Sequence, residues 1–251
     1  MANPTPPRVA TGISGLDQML SGGLIPGSAV LLRGAPGTGK TSLALQYLLH
    51  GASNNEPGLL ISFEEFPQSL HRDAQSLGWN LNEFEDKQLL HLMFTSPQVL
   101  LQSLLAPDSA LNNLLLNGGI RRVVLDSVTH FTRMTSSAVE LRGIYNTLIN
   151  ALKRERVTTV LVGEESRFEN QRFEQGKLSY IVDAILLLRY VEIDSAIQRA
   201  MVVLKMRGSA HAKDIRRYEI RNGGIVVTDL FEGREGILSG ISRRQMISGG
   251  K

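Results

Sequence analysis

Residues 34–41 read GAPGTGKT, an octapeptide that fits the G-x-x-x-x-G-K-[ST] pattern of a phosphate-binding loop. It follows an apolar run, SAVLLR, and opens a helix-like run, SLALQYLLHGA. The strand–loop–helix setting that such a loop needs is therefore present. The glycines let backbone N–H groups turn inward around phosphate oxygens, and the start of the following helix adds a dipole that favours an anion. The candidate nucleotide cradle is Gly34, Ala35, Pro36, Gly37, Thr38, Gly39, Lys40, Thr41 and Ser42. Lys40 is placed to reach the β- and γ-phosphates and Thr41 to hold Mg²⁺ through its hydroxyl. A nucleoside triphosphate, ATP, and Mg²⁺ are the expected ligands.

Outward from this loop, apolar strand-like runs at 29–33, 58–63, 89–94, 122–126 and 158–162 alternate with amphipathic helical runs near 41–53, 67–77, 97–117 and 138–155. That alternation predicts right-handed βαβ units around a buried parallel sheet. In the last third, DAILLLRYVEI and AMVVLKMR flank a polar turn at Asp194 and Ser195, and DIRRYEIRNGGIVV turns at Asn222, Gly223 and Gly224. These predict antiparallel hairpins added to the sheet. The expected fold is α/β: a mainly parallel, twisted sheet flanked by helices, with C-terminal antiparallel hairpins. Residues 1–8 are Pro-rich and expected to be disordered, 9–240 to form one domain, and 241–251 to be a flexible tail.

The chain has 251 residues and no cysteine, so disulfides and thiolate chemistry are excluded. No terminal stretch reads as a signal peptide and no apolar run is long enough to span a bilayer. A cytoplasmic protein with no membrane contact is expected. Basic residues number 27 against 24 acidic, a formal charge of +3, and the two signs are interspersed, which reads as a mixed solvated surface. The five histidines are scattered and form no H-E-x-x-H pair, so no protein-built transition-metal site is expected.

Hydrolysis needs a second anchor for the metal and a base for the attacking water. Asp126 ends the apolar run RRVVLD. Parallel strands of one sheet end on the same side, so Asp126 is the second candidate metal ligand beside Thr41. The bland alternative is a helix cap. Glu64 and Glu65 end LLISFEE, and adjacent carboxylates repel unless a cation or water network sits between them. With Lys40 they are the candidate catalytic groups, one to activate water and the other to support the metal or water shell. The alternative is an acidic helix start. Glu164 and Glu165, after TTVLVG, are a second pair at a position suited to sensing the nucleotide.

Four boxes then carry a family resemblance: TGISGLDQMLSGGLIPGSAVLLRGAPGTGKTSLALQYL, SFEEFPQSLHRDAQSLGW, VVLDSVT and LLLRYVEI with QRAMVVLKMRGSAH. Across about residues 9–240 the chain resembles the KaiC family of RecA-like P-loop ATPases. The resemblance implies a homo-oligomer, a hexameric ring with ATP between neighbouring subunits, acting through a regulatory protein partner. It implies that Glu64 and Glu65 are catalytic, and that Lys205, Met206, Arg207, Ser209 and His211 reach the neighbour's nucleotide. Spacing agrees in part: Lys205 and Arg207, two apart on a strand, share a face opposite Met206. The alternative is a pair of solvated cations on an edge strand. Ser76, before LGW, matches a position near the nucleotide base, whereas Trp79 is expected to be a packing residue. The resemblance departs in two places. The circadian-clock ATPase for which the family is named carries two tandem copies of this domain and this chain one, so a two-ring timer is not expected from it alone. Its phosphorylated Ser-Thr pair falls on Ser179 and Tyr180, leaving Ser179 as a candidate phosphorylation position and an ordered two-site autokinase cycle in doubt.

The competing reading is a RecA/RadA-like, DNA-binding recombination or mediator ATPase. Its DNA loops would be SVTHFTRMTSS and EESRFENQRFEQGKLSY. The first has one arginine and the second four acidic residues against three basic ones. A groove that tracks nucleic acid needs a local cationic surplus, so the ring is favoured; Phe168 and Phe173 offer rings for base stacking, but core packing is the commoner use of such residues. No N-K-x-D base-reading motif is present, which disfavours a GTPase.

Overall fold

The computed structural model describes residues 7–165 and 178–231, together with the backbone of 234–235 and 243–244. Most of the two expected tails, and the segment holding Phe168 and Phe173, lie outside the described residues. The strands are β1 (Ala29–Gly34), β2 (Gly58–Ser62), β3 (Leu90–Phe94), β4 (Arg122–Asp126), β5 (Thr158–Glu164), β6 (Ala184–Ile193), β7 (Ala196–Met206), β8 (Arg216–Arg221) and β9 (Gly224–Leu230). The short β10 (Arg234–Glu235) and β11 (Arg243–Arg244) pair with each other. The helices are α1 (Leu16–Met19), α2 (Lys40–Ser53), α3 (Pro67–Ser76), α4 (Asn82–Asp86), α5 (Pro97–Leu105), α6 (Ala110–Asn117) and α7 (Ala138–Arg154), with a 3₁₀ turn at Val128–Arg133.

β1 to β9 form one nine-stranded sheet in the order β3-β2-β4-β5-β1-β6-β7-β8-β9. From β3 to β6 the neighbours are parallel, and from β6 onward antiparallel. This is the expected α/β architecture with C-terminal hairpins. Helices cover both faces, so strand residues are apolar on both sides instead of alternating with polar ones. Along β1, Val30 and Leu32 enter the core beneath α2 with Leu43 and Leu48. Ala29 and Leu31 enter the opposite core with Leu148 and Leu152 of α7, the two-residue period of a strand.

The single helix expected over 97–117 is two helices. Ala106 precedes Pro107 and takes an extended conformation (φ −90°, ψ 111°), as the proline ring demands. Ser109 then caps α6 by accepting from the Asn112 amide at 3.0 Å. The buried Asn112 side chain reaches back, its Nδ2 donating to the carbonyls of Ser103, Leu104 and Ala106 at the end of α5. Asp194 and Ser195 join β6 to β7 with φ of 50° and 62°, the mirror-image turn that matches strand twist. The second hairpin turns on Asn222 and Gly223 alone, because Gly224 already pairs with Arg221.

Register sets the polarity of the molecule. The strand ends carrying Gly34, Ser62, Asp126 and Glu164 lie side by side: Gly34 pairs with Glu164, and Ser62 with Asp126. β7 runs back down the sheet, so Lys205 lies level with Ile185, which pairs with Leu31. The Arg207 amide donates to the Asp183 carbonyl, and the Asp183 amide to the Ala29 carbonyl. Arg207 is thus level with the first residue of β1, about 16 Å along the strand from the loop at its other end.

Candidate active site

The loop after β1 is shaped by glycine and braced from outside. Gly37 and Gly39 have φ of 78° and 91°, the left-handed region that glycine enters without penalty. A Cβ on Gly37 would lie 2.8 Å from the Tyr190 hydroxyl oxygen, and one on Gly39 2.5 Å from Ile220 Cδ1. The buried Tyr218 hydroxyl donates to the Thr38 carbonyl at 2.5 Å. Gly39 is the N-cap of α2 and supplies no side-chain cap. The first amides of the helix are therefore left for an anion.

Lys40 is buried at the start of α2. Its Nζ donates to the carbonyls of Gly34 (3.0 Å) and Ala35 (3.1 Å). Burial lowers its affinity for the proton, and the charges of Glu164, Asp126 and Glu64 oppose that shift. Thr41 Oγ1 donates to Asp126 Oδ2 at 2.7 Å, so the two candidate metal ligands, from α2 and from the end of β4, are in contact. Burial pushes the Asp126 carboxyl up; the Thr41 hydrogen bond and Lys40 hold it down.

Glu64 and Glu65 follow β2, and both their amides donate to Ser62 Oγ. Their surroundings differ. Glu64 is exposed, with Oε2 3.3 Å from His130 Nε2. Glu65 is half-buried, and its Oε2 has no hydrogen-bond partner among the described residues. Burial raises its proton affinity, followed by the charges of Asp126, Asp73 and Glu64. The second pair also divides. Glu165 is held by Arg189 at 2.6 Å, whereas Glu164 is exposed and its amide donates to Thr129 Oγ1.

The remaining candidates lie elsewhere. β7 ends at Met206, so Arg207 stands just past the strand, and Met206 is buried in the core. Lys205 Nζ donates to the carbonyls of Ser179 and Val182, and Arg207 to that of Tyr180. Burial and the neighbouring Arg207 lower the Lys205 proton affinity. β7 lies between β6 and β8, not at the sheet edge, although its pairing with β8 is confined to Ala200 and Met201. Ser209 accepts from Arg8 at 2.7 Å, and half-buried His211 sits in the same segment, which Ala212 ties to α1 through the Met19 carbonyl. By register, Lys205, Met206 and Arg207 lie away from the phosphate loop of their own chain. Ser76 is exposed at the end of α3, its hydroxyl donating to the Asp73 carbonyl, and Trp79 packs partly buried on the core. No group of three or more His, Cys, Asp or Glu suited to a transition metal occurs among the described residues.

The chain's own residues fit a magnesium–nucleotide group. Among the described residues an ammonium is held by carbonyls alone, a hydroxyl–carboxylate pair stands beside it, and a carboxylate oxygen is buried without a partner. His130, Tyr190, Tyr218 and Ile220 were not singled out from the sequence. His130 carried a signal, since it lies four residues past Asp126 in a segment leaving a C-terminal strand end. The tyrosines reach the loop only through sheet order.

Comparison with known proteins identifies the family. A family model described as the KaiC ATPase matches residues 9–232. The circadian clock oscillator protein KaiC of Parathermosynechococcus lividus is 36% identical over 243 residues, covering 94% of this chain and 43% of that protein. The protein of the same name from a Picosynechococcus species is 34% identical over 244 residues, covering 94% of this chain and 46% of its own length. The chain thus spans less than half the length of these relatives.

Proposed function

The chain belongs to the KaiC ATPase family, and from that premise we propose that it binds Mg·ATP and hydrolyses it to ADP and phosphate, at sites shared between copies of a homo-oligomer. The observation that carries the chemistry is the Thr41–Asp126 contact beside a buried Lys40. The backbone amides of residues 37–41 would bind the phosphates and Lys40 would clamp the β- and γ-groups, while Thr41 and Asp126 would hold the metal. When bound, magnesium supplies charge neutralisation for the phosphoryl oxygens. Glu65, whose buried oxygen has no partner among the described residues, takes the proton from water, and exposed Glu64 supports it.

The sharing of sites is supported by polarity. Lys205 and Arg207 stand at the end of the sheet remote from their own loop, where they serve another copy's nucleotide or none. A hexameric ring, Ser76 near the base, Ser209 and His211 at the shared site, Ser179 as a phosphorylation position and signalling through a protein partner extend this reading from the family. No helix among the described residues is long and apolar enough to cross a membrane, and we place the protein in the cytoplasm.

The test is Lys40→Ala. It removes the charged clamp, so ATP turnover is expected to fall to background, measured by phosphate release, with the circular dichroism of the fold retained. Undiminished turnover would overturn the site assignment.

A further inference from the structure

Phe66 follows Glu65 directly, in an extended conformation at the N-cap of α3 (φ −70°, ψ 153°). Its ring stacks on that of Phe94, at the end of edge strand β3, with centroids 4.1 Å apart and planes inclined by 30°. Both rings face solvent, Phe66 at 59% and Phe94 at 41% exposure. Burying a phenylalanine is worth roughly 1.5–3 kcal/mol, so leaving two exposed rings side by side calls for a reason. Because they are already stacked, they form a flat apolar plate that costs little further ordering when covered. The plate stands at the ends of β2 and β3, at the same end of the sheet as Asp126 and the phosphate loop, and Phe66 follows Glu64 and Glu65 in the chain.

The other end of the sheet has the opposite character. Tyr180 is 66% exposed. Its carbonyl accepts from Arg207, and the carbonyls of Ser179 and Val182 in the same turn accept from Lys205. The turn that carries this exposed ring is thus held by two cations, whereas the apolar plate directly follows two carboxylates, Glu64 and Glu65, in the chain. Register puts the two patches at opposite ends of one chain, so they cannot meet within it. Plate-to-plate pairing of two copies would bring Glu64 against Glu64, a like-charge juxtaposition. Head-to-tail pairing matches apolar with aromatic and acid with base, and it is the heterologous contact that closes rings.

We propose that the Phe66–Phe94 plate is the seat for Tyr180 of a second copy of this chain. The contact brings Lys205 and Arg207 of one copy to Glu64 and Glu65 of the next, so the aromatic seat sets the register of the shared site. The proposal rests on the reading that sites are shared between copies. It adds the residues that align the copies.

The chain has no cysteine, so paired probes can be introduced on a clean background. Phe66→Cys and Tyr180→Cys chains are mixed with a non-hydrolysable ATP analogue and Mg²⁺, treated with a short bismaleimide, and resolved by denaturing electrophoresis. Solution mass is measured in parallel. A cross-linked dimer is expected from the mixture and not from either variant alone. Tyr180→Ala is expected to weaken assembly about tenfold, the effect of losing an interface anchor, while Tyr180→Phe leaves it intact. Assembly without the mixed cross-link, or equal cross-linking of Phe66→Cys with itself, overturns the proposal alone. Absence of assembly with nucleotide overturns the shared-site reading and the proposal with it.

Discussion

Glu64 and Glu65 are adjacent and identical in type, and the fold makes them different. One faces solvent beside His130, and the other has a buried oxygen with no hydrogen-bond partner among the described residues and feels the charge of Asp126. The sequence carried the pair but not their different surroundings, because burial at a strand end depends on the neighbouring strand, here β4. A carboxyl whose folded-state pKa is raised costs stability once pH exceeds the unfolded value of about 4.3, and the full cost is present above the folded value. Replacing Glu65 by Gln removes that cost. Without nucleotide or magnesium, Glu65→Gln is therefore expected to raise the melting temperature at pH 7 and to lose this advantage near pH 4, as read by thermal melts at both. Its turnover moves the other way. The Glu64→Gln, Glu65→Gln double variant is expected to keep bound ATP and to release phosphate about 10²–10⁴-fold more slowly, checked by chromatography of bound nucleotide alongside phosphate release. Turnover that survives would move the base to Glu164.

Between residues and fold, legibility followed period and punctuation. β1, β2, β4 and β5 are short apolar runs bounded by polar or glycine residues, and their continuous burial is what a sheet covered on both faces requires. The Asp194–Ser195 turn was equally plain. The break between α5 and α6 was missed although Pro107 and Ser109 announce it, because helical periodicity runs through the interruption and outweighed the local breakers. α4 is too short for any period to register. The joint between α5 and α6 has a stability of its own, since Asn112 supplies the carbonyls at the end of α5 with the donors that the helix cannot. Asn112→Ala is expected to cost about 1–3 kcal/mol by leaving the buried Leu104 carbonyl without its donor, Ser109 still serving those of Ser103 and Ala106, measured by urea denaturation, with the ATP affinity of the folded protein unchanged.

For the whole molecule, sheet order and strand direction decide which residues cooperate. The family resemblance named Lys205 and Arg207, but only register shows that they lie at the far end from their own phosphate loop. If they act on a neighbour, Lys40→Ala and Arg207→Ala chains, each inactive alone, are expected to regain part of the turnover when mixed, since some junctions then pair an intact loop with an intact arginine. A co-assembled mixture as inactive as its components would return both cations to the role of surface charges. The hairpins at the end of the sheet have a quieter consequence. Tyr190, Tyr218 and Ile220 touch Gly37, Thr38 and Gly39 from behind, so the hairpin strands form the back wall of the phosphate loop. Linkage between two such sites is reciprocal. Any factor by which bound nucleotide changed the affinity of a ligand seated on those strands would be the factor by which that ligand changed nucleotide affinity, because the wall and the loop are one packed unit.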